Sequence, residues 1–127
     1  MTEYLDLDDL LAAANAAVGG AAEIRDIGLL QSAVARPQAT AFGEEAYPGL
    51  DVKAAALLHA IVGGHPLVDG NKRLGWVATR LFYRMNGADL HAGRDEAYSL
   101  VVAVARGQLR NVPQIAGRLA GWRRSLG

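Results

Sequence analysis

A run of polar residues, His65-Pro66-Leu67-Val68-Asp69-Gly70-Asn71-Lys72-Arg73, lies between two stretches that read as core helices. Val52 to Val62 before it is almost wholly apolar. Leu74 to Asn86 after it carries Leu74, Val77, Ala78, Leu81, Phe82 and Met85 on nearly one face of a 3.6-residue period. The connection must therefore turn the chain back beside its own core while carrying a histidine, a carboxylate, an amide and two cations. Polar groups placed that close to a core need partners or a use.

The rest of the chain supplies helices to pack around this pair. Leu5 to Val18 is the first, with Leu7, Leu10, Leu11 and Ala14 on its apolar side, Asp6 or Asp8 as its cap and Gly19-Gly20 as its stop. Ile27 to Ala35 is a short second helix with Asp26 as cap, ended before Pro37. Ala39 to Leu50, with Gly43, Pro48 and Gly49, has no sustained period and reads as a flap-like loop; Asp51 is positioned to cap the central helix, which Gly63-Gly64 closes. Asn86-Gly87 is an αL stop, and Ala88 to Arg94 a connector. Asp95 or Glu96 opens an apolar helix running to Arg106. Pro113 to Arg123 is the last, capped by Asn111, with Arg118, Arg123 and Arg124 at its cationic end. The expected fold is all-α, one domain over residues 1–127, with about six helices around a central helix–loop–helix.

Alanine, leucine and valine dominate the hydrophobic half of the composition, which favours close-packed helices. With 13 basic and 13 acidic residues the net charge is zero, which argues against bulk nucleic acid or an anionic membrane as the main partner. The absence of cysteine excludes disulfides, thiolate chemistry and cysteine-bound metal. No secretory leader and no long apolar span is apparent, so the expected location is cytoplasmic.

The polar run carries the chemistry. If a helix begins near Asn71, its first N–H groups face into the loop and form an anion site. Lys72 and Arg73 add cationic donors there, against the helix dipole unless an anion arrives. Asp69 is suited to hold Mg²⁺ against a nucleotide's phosphates, and His65 to take a proton from a hydroxyl. Together these point to phosphoryl or nucleotidyl transfer to a hydroxyl. The alternative is a capped turn beside a solvated Lys-Arg face. The run lacks the P-loop pattern and a second histidine at zinc-ligand spacing, and no carboxylate cluster supports a nuclease.

The run from His65 to Arg73 resembles the central motif of the Fic/Doc superfamily: histidine, phenylalanine two positions on, then an acid, glycine or alanine, asparagine, glycine or lysine, and arginine. Leu29 to Pro37 resembles the upstream segment of the Doc branch, the death-on-curing toxins. Lys72, where adenylyl-transferring members usually carry glycine, and Trp76, where they carry a second arginine, point to the same branch. The resemblance implies a kinase toxin that phosphorylates a threonine of translation elongation factor Tu with ATP and Mg²⁺. It also implies a separate antitoxin seated in a surface groove near the first helix and the flap. By position His65 is the base, Asp69 orients Mg²⁺ or the hydroxyl, and Gly70, Asn71, Lys72 and Arg73 hold phosphates. Leu67 replaces the usual phenylalanine and is expected to pack the loop on the core with less area. Adenylyl transfer and a non-catalytic helical interaction module are the other readings. Outside the motif, His59 reads as a satisfied core or interface histidine, His91 as surface, Trp76 as a packing wedge and Glu44 and Glu45 as solvated. Arg36 is a candidate lining residue of the same site, and Lys53 a partner of Asp51 or Glu45.

Overall fold

The computed structural model describes all residues, 1–127. Six α-helices form the bundle: α1 Leu7–Val18, α2 Ile27–Ala35, α3 Leu50–Gly64, α4 Asn71–Met85, α5 Arg94–Ala105 and α6 Val112–Trp122. A 3-10 turn at Arg36–Gln38 follows α2, and two small antiparallel ribbons complete the fold. Thr40–Ala41 (β1) pairs with Glu44–Glu45 (β2), and Ala88–Leu90 (β3) with Arg123–Ser125 (β4).

α3 is the axis. Ala54 through Leu58, Ile61 and Val62 are buried, and α2, α4, α5 and α6 all pack on it. Its alanines keep one side thin, so neighbouring helices approach closely. Gly75 of α4 marks one such close approach: a built Cβ there would collide with Val62 Cγ2 and lie 3.1 Å from Leu58 Cδ1.

Helix ends follow their local chemistry. Asp6 and Asp9 form a reciprocal capping box on α1, which Gly19 ends in the left-handed conformation. Asp26 caps α2 and Asn111 caps α6. The central helix differs from expectation. Gly49 occupies its N-cap position without a side-chain bond, which places Asp51 inside the first turn. Asp51 instead accepts a 2.7 Å hydrogen bond from the buried Tyr83 hydroxyl and lies 3.3 Å from Arg123 Nε. Burial, then the Asp51 carboxylate, raises the Tyr83 pKa, so the phenol stays protonated as the donor.

The flap is a hairpin rather than an irregular loop, and it is tied down. Lys53, buried on α3, donates to Glu45 Oε1 at 3.0 Å and to the Tyr47 carbonyl at 2.6 Å. Glu45 is thus a partner of Lys53 and not merely solvated, whereas Phe42 at the hairpin tip is fully exposed.

The connector Ala88 to Arg94 contains β3, and Arg123 lies in β4 rather than at the end of α6. The ribbon is pinned by Asp89, which accepts 3.0 and 2.8 Å bonds from Arg80 on α4. These bonds hold its carboxyl down to about 2, against burial and with help from the Leu90 N–H. The folded value lies below the ordinary 3.8, so the stabilisation is complete above about pH 4 and disappears as pH falls through about 2. Allowing for screening at the half-exposed arginines, it amounts to roughly 1–2 kcal/mol. Urea unfolding at pH 5, 4 and 3 should show a steeper acid loss for the native chain than for Asp89→Asn. Parallel curves would remove Asp89 from this role.

Candidate active site

The first-turn donors, the histidine and the cations named above meet at one end of the α3–α4 pair. α3 ends at His65, whose φ of 54° and ψ of 59° place it in the left-handed region. That region is uncommon for a residue with a Cβ. His65 is exposed, and its N–H donates to the Ile61 carbonyl at 3.1 Å.

A strap from the α1–α2 connection fixes the turn. Ile24 bridges Leu67 in antiparallel fashion: the Arg25 N–H donates to Pro66 O at 2.8 Å and the Val68 N–H to Glu23 O at 3.0 Å. The Asp26 N–H also donates to Pro66 O, at 3.0 Å. The Arg25 side chain continues along the same edge, with Nε 2.7 Å from His65 O and a terminal nitrogen 2.9 Å from Gly64 O. Leu67 is buried in the core, packing the loop as expected of that position.

Asn71 closes the loop from the other side. Its Oδ1 accepts from the Leu67 N–H at 2.8 Å, and its Nδ2 donates to the Leu67 carbonyl at 2.9 Å. Both ends of the amide are thereby engaged with the backbone of a single residue, so the side chain shapes the loop. Gly70 precedes α4 at a φ of 91°, and a built Cβ would lie 2.7 Å from Val18 Cγ1 on α1. Only glycine meets both demands without strain.

No side chain caps α4, so its first-turn N–H groups stand open beside Lys72 and Arg73. Both cations are exposed; one Arg73 guanidinium nitrogen donates to the Ala17 carbonyl at 3.1 Å, leaving the rest of the fork available. Asp69 is exposed, with Oδ1 accepting from the Gly70 N–H at 2.8 Å.

His65, Asp69, Gly70, Asn71, Lys72 and Arg73 all line one cleft of about 1000 Å³, whose far wall is made by Trp76 and α5. α5 contributes Arg94 and Tyr98 to the lining, and nothing in the sequence marks them for this site. Trp76 does act as a wedge, half-buried and edge-on to Trp122 with centroids 6.2 Å apart, while also bordering the cleft. The cleft can accept a polyanion: it offers open helix N–H groups and several cations beside one carboxylate.

Arg36 does not join this site. It lines a second cavity between α2, α3 and α5, because its guanidinium binds Tyr47 Oη at 3.0 Å and lies 2.8 Å from His59 Nδ1. His59 is the half-buried, satisfied histidine expected; burial, and then the Arg36 charge, lower its pKa. Arg25 and the strap gave no sequence signal beyond an arginine preceding a helix cap.

Residues 4–83, which include α1 through α3, the whole polar loop and all but the last two residues of α4, match the Fic/DOC family. The chain belongs to that family, on its Doc branch. It is 49% identical over 124 residues to Toxin Doc of Mycolicibacterium smegmatis (strain ATCC 700084 / mc(2)155), an alignment covering 96% of this chain and 95% of that relative.

Proposed function

We propose that this chain is the toxin of a toxin–antitoxin pair and a protein kinase, transferring the γ-phosphoryl group of ATP to a hydroxyl of elongation factor Tu. The observation that carries the reading is the convergence in one cleft of His65 with the uncapped start of α4, Lys72 and Arg73. Likeness to a relative named as a Doc toxin supports the toxin role.

The chemistry follows from these groups. The acceptor hydroxyl gives its proton to the His65 imidazole as its oxygen forms the bond to the γ-phosphorus. The bond from that phosphorus to the bridging oxygen breaks, and ADP departs. Lys72, the free part of Arg73 and the open N–H groups of α4 balance charge on the phosphate oxygens. Asn71 and Gly70 hold the loop so that these groups face one another.

The donor set also fits a shared Mg²⁺. Asp69 is one exposed hard ligand, and the nucleotide's phosphates, also hard oxygen donors, would supply others. Bound there, the cation would neutralise phosphate charge. Lys72 lines the cleft at the start of α4, where its side chain takes room that a glycine would leave to the α- and β-phosphates, which supports phosphoryl over adenylyl transfer. Val18 and Val68 border the cleft and Ile24 and Ile27 lie exposed beside the strap, apolar surface suited to the antitoxin.

Expression of the chain alone in a bacterial host should arrest growth, and elongation factor Tu from those cells should carry phosphothreonine. Asp69→Ala should relieve the arrest, as should co-expressed antitoxin. Normal growth with folded, abundant wild-type protein would contradict the toxin reading.

A further inference from the structure

Four consecutive carbonyls, from Gly64 to Leu67, each accept a hydrogen bond from outside the turn, and one residue supplies donors to the first three. Arg25 reaches Gly64 O and His65 O with its guanidinium at 2.9 and 2.7 Å, and Pro66 O with its backbone N–H at 2.8 Å. Asn71 takes the fourth at 2.9 Å. Arg25 has no ion pair, since no carboxylate lies within 4.0 Å of it. It is exposed and does not line the cleft. Its guanidinium therefore serves the backbone on either side of His65.

We infer that Arg25 is the positioning residue of the site, holding His65 in its left-handed conformation and so fixing where the imidazole points. The physical need is specific. The last carbonyls of a helix lack intrahelical donors, and here they adjoin a histidine at a φ of 54°. Without the clamp, the His65 N–H bond to the Ile61 carbonyl remains, but the peptide after His65 is free to turn toward the extended region that a residue before proline favours, and the side chain moves with it. An arginine suits the task because its planar fork meets two adjacent carbonyls at once, whereas an ammonium is a point charge. The charge also complements the negative end of the α3 dipole. The strap alone cannot replace this, because its backbone bonds begin at Pro66, beyond the strained residue.

The kinetic arm of the test rests on the phosphoryl-transfer reading; a spectroscopic arm does not. For Arg25→Ala, kcat should fall by on the order of 10²-fold while KM for ATP stays within a few-fold, the pattern of lost alignment rather than lost binding. Arg25→Lys, which keeps the charge but not the fork, should recover only part of kcat. In amide NMR spectra of the full chain, Arg25→Ala should shift or broaden the resonances of His65 to Asn71 and leave those of α5 and α6 in place. A change in KM alone would make Arg25 a substrate contact, and full rescue by lysine would make its charge, not its fork, the active element. Unmoved loop resonances with kcat within twofold of wild type would also overturn the inference. If the wild-type protein transfers nothing, the proposed activity fails while the spectra still decide on Arg25.

Discussion

His65→Gly and His65→Ala should both lose phosphoryl transfer, by roughly 10²- to 10⁴-fold, the range for a removed general base. Their stabilities should differ in the order of a left-handed cap and not of a helix interior. Inside a helix alanine outranks glycine, but residue 65 ends α3 at a φ of 54° and ψ of 59°, where a Cβ crowds the following carbonyl. Glycine is thus expected to be the more stable of the two by about 1 kcal/mol, and no less stable than the histidine it replaces by more than about that amount. The exposed imidazole forms no hydrogen bond within the protein, so its removal should leave the core undisturbed. Urea titration and a transfer assay on the same samples separate the two effects. An active glycine variant would remove the base from the mechanism. A glycine variant clearly less stable than the alanine one would contradict the strained geometry.

The second large effect belongs to the fold. Gly75→Ala should destabilise the chain by about 2 kcal/mol or more, although alanine gains roughly 1 kcal/mol over glycine in helix propensity. The added methyl would collide with Val62 Cγ2 and press on Leu58, both fully buried on α3. Relief requires α4 to move away from α3, and with it the first turn carrying Lys72 and Arg73. A fall in Tm of roughly 6–10 °C is expected. Gly117 of α6 is the internal control, since nothing lies within 4 Å of its built Cβ. Gly117→Ala should therefore leave Tm unchanged or raise it. If both variants behave alike, the close α3–α4 contact is wrong.

The helices were legible because their signals are local. Asp26 and Asn111 cap where they stand in sequence, and Gly19 and Asn86-Gly87 end helices through backbone conformation. The polar loop was legible for the same reason: its candidate site residues are contiguous, and all of them line one cleft. What escaped depends on partners distant in the chain. Arg123 reads as the cationic end of a helix, yet it enters a ribbon with Leu90 and pairs with Asp51. Asp51 reads as a cap because its alternative partner, Tyr83, comes 32 residues later. Arg36 reads either as a lining residue of the motif's cleft, because its segment resembles the family's, or as a surface arginine. Its guanidinium instead meets His59, one helix face away from the motif. Arg25 lies in a stretch with no period, and only the folded turn shows that its fork reaches back to the carbonyls of Gly64 and His65. By position Asn71 reads as a phosphate ligand; its side-chain amide is engaged by Leu67, a partner that only the folded loop shows.

The most direct test of the central claim uses purified protein, Mg²⁺, elongation factor Tu and ATP carrying a radioactive phosphate at either the γ or the α position. Label should pass to the factor from the γ position only, with ADP as co-product, and should not pass when His65→Gly replaces the native chain. Transfer from the α position would make this an adenylyl transferase, and no transfer from either position would contradict the assigned activity.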